Sequence, residues 1–330
     1  MSCTIGVDVG GTKIAAAVVT EDGRYDVPTV LPTPAGDADA IEVAIERAVE
    51  EVAAGRDIAA VGIGAAGWID STRSIVRYAP HLVWRDVALG DRLSERLGVG
   101  VLIENDANAA VWAEHRFGAA RGHDVALCIT IGTGLGGGIL VDGALFRGAH
   151  GFAGEWGHLR VVPDGRRCAC GNRGCWEQYA SGTALARDAR ELAETSPGFA
   201  DGIIELAGRE AEALTGVDVS SAAAHGDLAA IELVTEAGRW LGQGIADISA
   251  ILDPSVVVIA GGVAAVGEPI LAPARSRFAQ VFSGRRHRPH PQIVAAAMGA
   301  DAGIVGAADL ARLELGEPGR TARPNTPGTG

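Results

Sequence analysis

Three of the five cysteines lie close together in a polar, arginine-rich segment of the chain. Cys168, Cys170 and Cys175, with His158 upstream, form the pattern H-x9-C-x-C-x4-C. Thiolates and imidazole are the ligands that zinc prefers, and four protein ligands are typical of a structural site rather than a catalytic one. The other two cysteines stand alone in apolar runs, as small buried side chains do. The spacing therefore predicts a structural Zn²⁺ ion held by these four residues.

A carboxylate at 106 is the second feature that could do chemistry. The segment ENDANAAVWAEHRFG places Asn105 and Asp106 after a short apolar run and before a helical pattern. Aspartate is a favoured helix N-cap residue, so a purely structural role would also explain Asp106. A phosphoryl transferase, however, needs a carboxylate that accepts the hydroxyl proton of its acceptor. We predict that Asp106 is that general base.

Two glycine-rich turns could bring backbone amides close to phosphate groups. The first is DVGGTK at 8–13, and the second is TIGTGLGGG at 130–138, with five glycines in nine residues. So much glycine is costly in backbone entropy unless the chain must pass close to something. Neither turn matches the Walker A or Rossmann pattern. Taken alone each turn could be an ordinary hairpin, but together they predict a clamp on a polyphosphate chain.

The elements that must position these residues follow from apolar patterning. The segments 4–19 and 126–141 share one design, strand, glycine-rich turn and strand, which indicates a duplicated α/β unit. Apolar residues at helical spacing predict surface helices over 41–52 and 89–97, a long helix over 228–252, and a helix that starts near 299. Buried strands are predicted at 59–64, 99–103 and 256–260. Ligands gather at strand ends in such sheets, which is where 64–67 and 105–106 fall.

Length and composition indicate two α/β lobes. At 330 residues, with 48% hydrophobic and 21% charged residues, the chain exceeds the size of one usual core. We expect a smaller lobe over 1–118 with a C-terminal helix at about 300–315, and a larger lobe over 119–299. The tail 316–330 is rich in Pro, Gly and Thr, so we expect it to be disordered.

Charge and hydropathy exclude several classes of protein. A net charge of −13 opposes binding to nucleic acid, whose affinity comes largely from Lys and Arg. No signal-peptide pattern and no apolar run of about 18 residues occurs, so we expect no membrane partner and a cytoplasmic location. The cysteines are then reduced thiols rather than a disulfide framework.

The motifs DVGGTK, ENDANAA, TIGTGLGGG, GEWGH and CACGNRGCWE stand in an order that resembles the ROK family of sugar kinases and sugar-responsive repressors. The chain is most similar to the bacterial glucokinase branch, from Ile5 to about Leu310. The resemblance implies a two-lobed, actin-like (hexokinase or ribonuclease H-like) ATPase fold with a zinc loop and a cleft between the lobes. It also implies phosphorylation of glucose to glucose 6-phosphate by ATP with Mg²⁺, and a homodimer or tetramer built through the larger lobe.

The resemblance assigns residues to three groups. Asp106 matches the catalytic base, and the sugar-contacting positions are Gly67, Asn105, Asp106, Glu155, His158 and Glu177. Positions that match the ATP site are Asp8, Gly10, Gly11, Thr12, Lys13, Thr133, Gly134, Gly261 and Gly262. His158 would serve twice, with one ring nitrogen on zinc and the other on a sugar hydroxyl. Ala66 departs from the family, which often has proline there.

Four alternatives stay open at this stage. The sugar could be another hexose, such as mannose, fructose or an N-acetyl hexosamine, because epimers differ by small shifts of hydrogen-bonding groups. The basic run at 285–290 allows polyphosphate as the phosphoryl donor, although such a run is usually a solvated loop. A sugar-responsive repressor would need a helix-turn-helix, for which we expect no room before the first strand. A zinc-dependent interaction protein without catalysis is the fourth.

Overall fold

The computed structural model of the protein describes residues 3–80 and 82–315. In chain order its strands are β1 (Cys3–Val9), β2 (Lys13–Val19), β3 (Thr29–Pro32), β4 (Ile58–Ala65), β5 (Trp68–Ile69), β6 (Val76–Tyr78), β7 (Arg85–Val87), β8 (Val101–Asn105), β9 (Ala126–Ile131), β10 (Leu135–Val141), β11 (Ala144–Leu145), β12 (Val256–Ala260) and β13 (Gln292–Ala295). Its α-helices are α1 (Ala38–Ala53), α2 (Leu89–Leu97), α3 (Asp106–Phe117), α4 (Glu177–Ala180), α5 (Gly182–Thr195), α6 (Pro197–Ala207), α7 (Gly216–Ala224), α8 (Leu228–Leu252), α9 (Glu268–Val281) and α10 (Ala302–Leu315).

The described chain divides into two compact units. The first contains residues up to Arg121, the segment Leu145–Ala153 and the residues from Asp301 onward, and the second contains Gly122–Ala144 and Gly154–Ala300. Leu145–Ala153 thus belongs to the first unit, whereas the expected division at 119 assigned it to the second lobe. The reason is local contact, because Leu145 packs on a cluster that includes Leu102 and Leu310. The expected disordered tail, 316–330, lies outside the described residues.

The first unit contains a five-stranded sheet in the order β3-β2-β1-β4-β8. Strand β1 is antiparallel to β2 and parallel to β4, which is parallel to β8. Helix α10 lies on this sheet at very short range. A Cβ atom on Gly62 would stand 1.9 Å from the carbonyl oxygen of Ala307, and one on Gly6 would stand 2.0 Å from that of Ile304. Glycine is therefore required at both strand positions for the C-terminal helix to pack.

The second unit repeats this topology, as the self-similar segments predict. Its sheet has the order β11-β10-β9-β12-β13, with β9 antiparallel to β10 and parallel to β12. The predicted α/β class is therefore confirmed. The predicted strand 256–260 and the predicted helices 89–97 and 228–252 have the observed bounds. Within the described residues, no helix is both long and apolar enough to span a membrane.

Candidate active site and metal centre

Asp106 lies at the junction where β8 ends and α3 begins. The N-cap of α3 is Asn105, whose Oδ1 accepts hydrogen bonds from the amides of Ala107 (2.9 Å) and Asn108 (3.1 Å). The capping role that could have explained Asp106 thus belongs to its neighbour. The side-chain amide of Asn105 donates to the carbonyl of Gly67 (3.1 Å), so the structure brings these two predicted sugar-site residues together. Because Oδ1 is used by the cap, Asn105 is best placed to act on a ligand as a donor.

The residue before this junction is a buried carboxylate that the sequence reading did not single out. Glu104 is 1% exposed. Its Oε1 accepts from the Asn105 amide (3.1 Å) and from the side chain of Asn108 (3.0 Å). Its Oε2 accepts from Arg147 Nε (2.8 Å) and lies 3.4 Å from Arg73 Nε. Burial acts to raise the pKa of Glu104, but the two arginines and the hydrogen bonds outweigh it, so the pKa is lowered and the carboxylate is ionised at neutral pH.

Asp8 lies at the end of β1 in the same unit and interacts with Asp106 electrostatically. Its pKa is raised from 3.8 to about 7, first by burial, then by the negative charge of Asp106, with a smaller contribution from Asp301. Lys13 opposes the shift. A carboxyl group whose pKa is shifted this far by burial and a neighbouring negative charge is common at functional sites.

The glycine turn at 10–12 is open to ligand. Gly10 donates its amide to the carbonyl of Lys13 (3.0 Å), and Thr33 holds the carbonyl of Gly10 through its hydroxyl (2.7 Å). Gly11, Thr12 and Lys13 are exposed. A Cβ atom on Gly10 would make only an ordinary contact, 3.5 Å, and Gly10 does not have a positive φ. The fold itself therefore does not require glycine there, which fits a backbone that a phosphate must approach.

The second turn divides into two parts with different reasons for glycine. The turn itself covers 132–134, and a Cβ on Gly132 would have no atom within 4 Å. Gly137, by contrast, lies within β10, where a Cβ atom would stand 1.5 Å from Nε1 of Trp156. The glycines at 136–138 were read as part of the phosphate turn, but they are strand residues. At Gly137 the absent side chain makes room for the GEWGH segment.

Gly261 and Gly262 follow β12 beside this second turn. Gly261 has φ +97°, and a Cβ atom there would stand 2.5 Å from the carbonyl oxygen of Ile131, the last residue of β9. The amide of Val263 donates to the same oxygen (3.2 Å). The structure thus places Gly261 against the end of β9, directly before the turn that contains Thr133 and Gly134.

The four predicted zinc ligands converge. The ligand atoms of His158, Cys168, Cys170 and Cys175 all lie within 4.8 Å of one another. The Sγ atoms of Cys170 and Cys175 are 3.6 Å apart, and Cys168 Sγ is 3.7 Å from His158 Nδ1. Thiolates about 2.3 Å from one tetrahedral ion would be about 3.8 Å apart. Donor type and spacing therefore fit zinc, and Nδ1 is the histidine nitrogen that faces the ion site.

Glu177 connects the metal centre to the second turn. Its Oε1 accepts from Cys168 Sγ (2.9 Å) and lies 3.7 Å from His158 Nδ1. Its Oε2 would be 3.2 Å from a Cβ atom placed on Gly134. The carboxylate predicted to contact sugar therefore lies between the zinc ligands and the turn predicted to bind phosphate. Glu155 is exposed and lies one short turn before His158, whose amide donates to its carbonyl (3.1 Å).

The metal-binding loop has one apolar anchor that the sequence reading overlooked. Trp176 follows the ligand Cys175, is fully buried, and donates its indole N–H to the carbonyl of Trp240 (2.9 Å). Gly244 on α8 makes room for it, since a Cβ atom there would be 2.2 Å from the indole ring. The anchor fixes the end of the loop that leads into Glu177.

The basic run at 285–290 lies far from the second glycine-rich turn, which is in the same unit. Its residues precede β13, which is parallel to β12 with Gln292 opposite Val256. The run is therefore at the edge of the sheet where β12 begins, whereas Gly261 follows the end of β12. Five residues of strand separate the two edges, about 16 Å. Arg288 pairs with Asp253 (2.6 Å), as expected of a solvated loop.

Thr183 is a further site-lining residue that the sequence did not indicate. Its hydroxyl and amide both donate to the carbonyl of Thr133, at 2.7 and 3.1 Å, and Gly182 donates to that of Gly132. The start of α5 therefore holds the second turn. A Ser-Gly-Thr run at a helix start is too common to have been distinctive.

Comparison with known proteins gives the family. A sequence model described as the ROK family matches residues 4–314. The chain belongs to the ROK family. A glucokinase of Streptomyces coelicolor is 46% identical over 94% of this chain and 98% of its own length. A glucokinase of Thermotoga maritima is 36% identical over the same shares.

A solved structure of a ROK family member is also similar. It is a ROK family glucokinase from Streptomyces griseus in complex with glucose and AMPPNP, with a TM-score of 0.89 and 49% identity over 94% of this chain and 100% of that chain. The ROK fold expected from the motifs is thus confirmed. In this ROK chain the junction of β8 and α3 and the first turn belong to one unit, and the four predicted metal ligands and the second turn belong to the other.

Proposed function

We propose that this protein is a glucokinase that transfers the γ-phosphoryl group of ATP to the 6-hydroxyl of glucose. The observation that carries the proposal is similarity over nearly the whole chain to glucokinases, one of them solved with glucose and AMPPNP, together with an intact base junction. In this phosphoryl transfer the attacking oxygen, the γ-phosphorus and the leaving oxygen are roughly collinear.

Asp106 is assigned the role of general base. In the proposed step its carboxylate accepts the proton of the sugar hydroxyl, the hydroxyl oxygen forms a bond to the γ-phosphorus, and the bond to the bridging oxygen of ADP breaks. Asn105 and Gly67 support the sugar at the same junction, with Asn105 donating through its amide. Mg²⁺ that accompanies ATP would neutralise charge on the phosphates.

The metal centre has a structural role in this proposal. His158, Cys168, Cys170 and Cys175 would hold Zn²⁺, and a closed set of four protein ligands leaves no position for substrate. His158 and Glu177 would contact sugar hydroxyls, and Glu155 would do so from the preceding turn. The turns containing Gly10 and Gly134 and the pair at 261–262 would bind ATP.

Assembly, location and the choice of hexose stay predictions. We expect a homodimer or tetramer and a cytoplasmic enzyme. The basic run at 285–290 lies at the sheet edge remote from Gly261, so it is not placed beside the turn predicted to bind the nucleoside.

A hexose and donor panel tests the proposed function. We expect glucose with ATP to give the highest kcat/KM among glucose, mannose, fructose and N-acetylmannosamine, each measured with ATP and with polyphosphate at equal phosphate concentration. A higher kcat/KM for another hexose, or for polyphosphate, would replace the proposed substrate and keep the enzyme class. The absence of phosphorylation of every sugar in zinc-loaded protein would support the regulator alternative instead.

A further inference from the structure

We infer that Arg147, through its ion pair with Glu104, is a positioning residue for the catalytic junction. The inference rests on the proposed function only in that Asp106 is the base whose geometry is being fixed. No contact between Arg147 and substrate is required.

The first step of the argument is where Glu104 makes its bonds. Oε1 receives the amide of Asn105 and the side chain of Asn108, so a single oxygen ties the end of β8 to the first turn of α3. Asp106 lies between those two residues. Its backbone is therefore held by two sets of hydrogen bonds, those that Glu104 accepts and those that the N-cap residue Asn105 accepts.

The second step is what holds Glu104 itself. An ionised carboxylate that is 1% exposed is stable only when it is paired and hydrogen-bonded. Arg147 donates a hydrogen bond from Nε to Oε2 (2.8 Å), and its terminal nitrogen Nη2 lies 2.7 Å from the same oxygen within the ion pair, without hydrogen-bond geometry. Arg73 approaches the same oxygen at 3.4 Å and also pairs with Glu314 at a more exposed position. Arg147 is therefore the principal partner, and its geometry sets the orientation of the carboxylate.

The third step concerns the segment that carries Arg147. Leu145–Ala153 is held in the first unit by Arg147, by ring contact between Phe152 and Trp68 (5.8 Å), and by Gly151, where a Cβ atom would stand 2.3 Å from the carbonyl of Ile69. The same segment continues directly into Glu155. The ion pair of Arg147 with Glu104 therefore holds two parts of the chain. One is the junction that contains Asp106, and the other is the segment that leads to Glu155, a predicted sugar-contacting carboxylate.

The unit contains a matched control for this network. Asp309 is also 1% exposed and is held by Arg116 (2.9 Å), Arg312 (2.8 Å) and the indole of Trp112 (2.9 Å). The chemistry is the same, a buried carboxylate with two arginines and a neutral donor. Its partners lie beyond Asn108 on α3, at Trp112 and Arg116, and on α10, at Arg312.

The experiment compares Arg147→Lys and Arg147→Met with Arg312→Met. The side chains of Arg147 and Arg312 are similarly exposed, 22% and 17%. Lysine keeps the charge but lacks the planar guanidinium that donates from Nε to Oε2, so Arg147→Lys should fold and still lose function. We expect kcat per folded molecule to fall about 10–100-fold for both Arg147 variants, the usual loss when the support of a catalytic group is removed. KM for ATP should stay within about twofold. Arg312→Met should lower Tm without lowering kcat.

Two further readouts separate positioning from folding. Guanidinium ion added to Arg147→Ala should restore part of the lost kcat, and it should have no such effect on Arg312→Met. Amide hydrogen exchange at 104–109 should become faster in Arg147→Lys but not in Arg312→Met, and this measurement requires no activity. A wild-type kcat in Arg147→Lys, or unchanged exchange at 104–109, overturns the inference. Inactive wild-type protein overturns the proposed function instead, and the exchange experiment still decides the role of Arg147.

Discussion

The two regions predicted to face the sugar are stabilised in different ways. In the base junction, residues 104–108, two interactions hold Asp106 without any ligand. They are the buried ion pair of Glu104 with Arg147 and the hydrogen bond that the cap residue Asn105 accepts from Ala107. In the metal loop at 158–177, four ligand atoms lie within 4.8 Å of one another, at the spacing of a metal site. The first region is organised by the polypeptide itself, whereas the second is proposed to depend on bound metal for its geometry.

This difference separates two kinds of failure. Changes at the junction should affect the chemical step, because they move or remove the base while the sugar-binding carboxylates keep their support. Changes at the loop should affect sugar affinity, because Glu177 contacts the predicted zinc ligand Cys168 and would move with the metal centre. The loop does not rely on metal alone, since the buried ring of Trp176 fixes one of its ends.

The largest effect is expected at the base. Asp106→Asn should lower kcat about 10²–10⁴-fold, the usual contribution of a positioned general base, and leave glucose binding within a few-fold. Asparagine keeps an acceptor for the amide of Ala107, so the start of α3 should be preserved. Steady-state kinetics and calorimetric titration with glucose measure the two quantities. Near wild-type turnover in folded protein would remove Asp106 from the mechanism.

The next effect is the pH dependence of the free energy of unfolding that Asp8, near Asp106, should produce. The folded pKa of Asp8 is about 7, above its ordinary value of 3.8, so the unfolded chain releases this proton first. Stability from this group is therefore fully present below pH 3.8 and is lost as pH rises toward 7 and above. The loss over this whole range should be on the order of 4 kcal/mol in the absence of ligand.

Urea unfolding of wild type and Asp8→Asn at pH 5 and pH 8 checks this expectation. The variant should gain stability over wild type at pH 8 and lose that advantage at pH 5. An advantage that does not change with pH would show that Asp8 is ionised throughout.

Asp106 and Arg147 illustrate what could and could not be predicted from the sequence. The position of Asp106 could be predicted because a strand end before a helix start is visible in apolar patterning. The convergence of His158 with the three cysteines could be predicted because they are close in sequence. The bounds of α2 and β12 followed from the same patterns. Arg147 could not be predicted, because it is 43 positions from Glu104 and one arginine in a loop has no periodicity.

The misreading of β10 has a similar cause. Gly132 and Gly137 are identical in sequence, but one faces open space and the other faces Trp156. Only tertiary contact distinguishes a glycine that a ligand needs from one that packing needs. The boundary error at Leu145–Ala153 arose in the same way, since a β-hairpin from the second unit leads into a segment that packs on the first.

Metal removal tests the second region directly. Cys170→Ser should abolish stoichiometric zinc, raise KM for glucose about 10–100-fold and leave KM for ATP nearly unchanged, because Glu177 and His158 lose their common support. Cys3→Ser is the matched control, since its thiol is half-buried and outside the cluster. Metal analysis should find about one zinc per chain in wild type and in Cys3→Ser. A metal-free variant with normal glucose KM would show that Trp176 alone suffices to hold the loop.

The smallest effect distinguishes the two glycine roles. Gly10→Ala should raise KM for ATP about tenfold, roughly 1.4 kcal/mol, with little change in Tm, because its Cβ would meet only the carbonyl of Lys13 at 3.5 Å. Gly137→Ala should lower Tm and raise KM for glucose rather than ATP, because its Cβ would displace Trp156 and the segment that leads to His158. Overpacking of this kind costs about 1–3 kcal/mol. Thermal unfolding and two-substrate kinetics on both variants make the comparison. If Gly10→Ala instead lost stability with an unchanged ATP KM, the first turn would be a structural hairpin, and the ATP site in that unit would have to be sought among other residues.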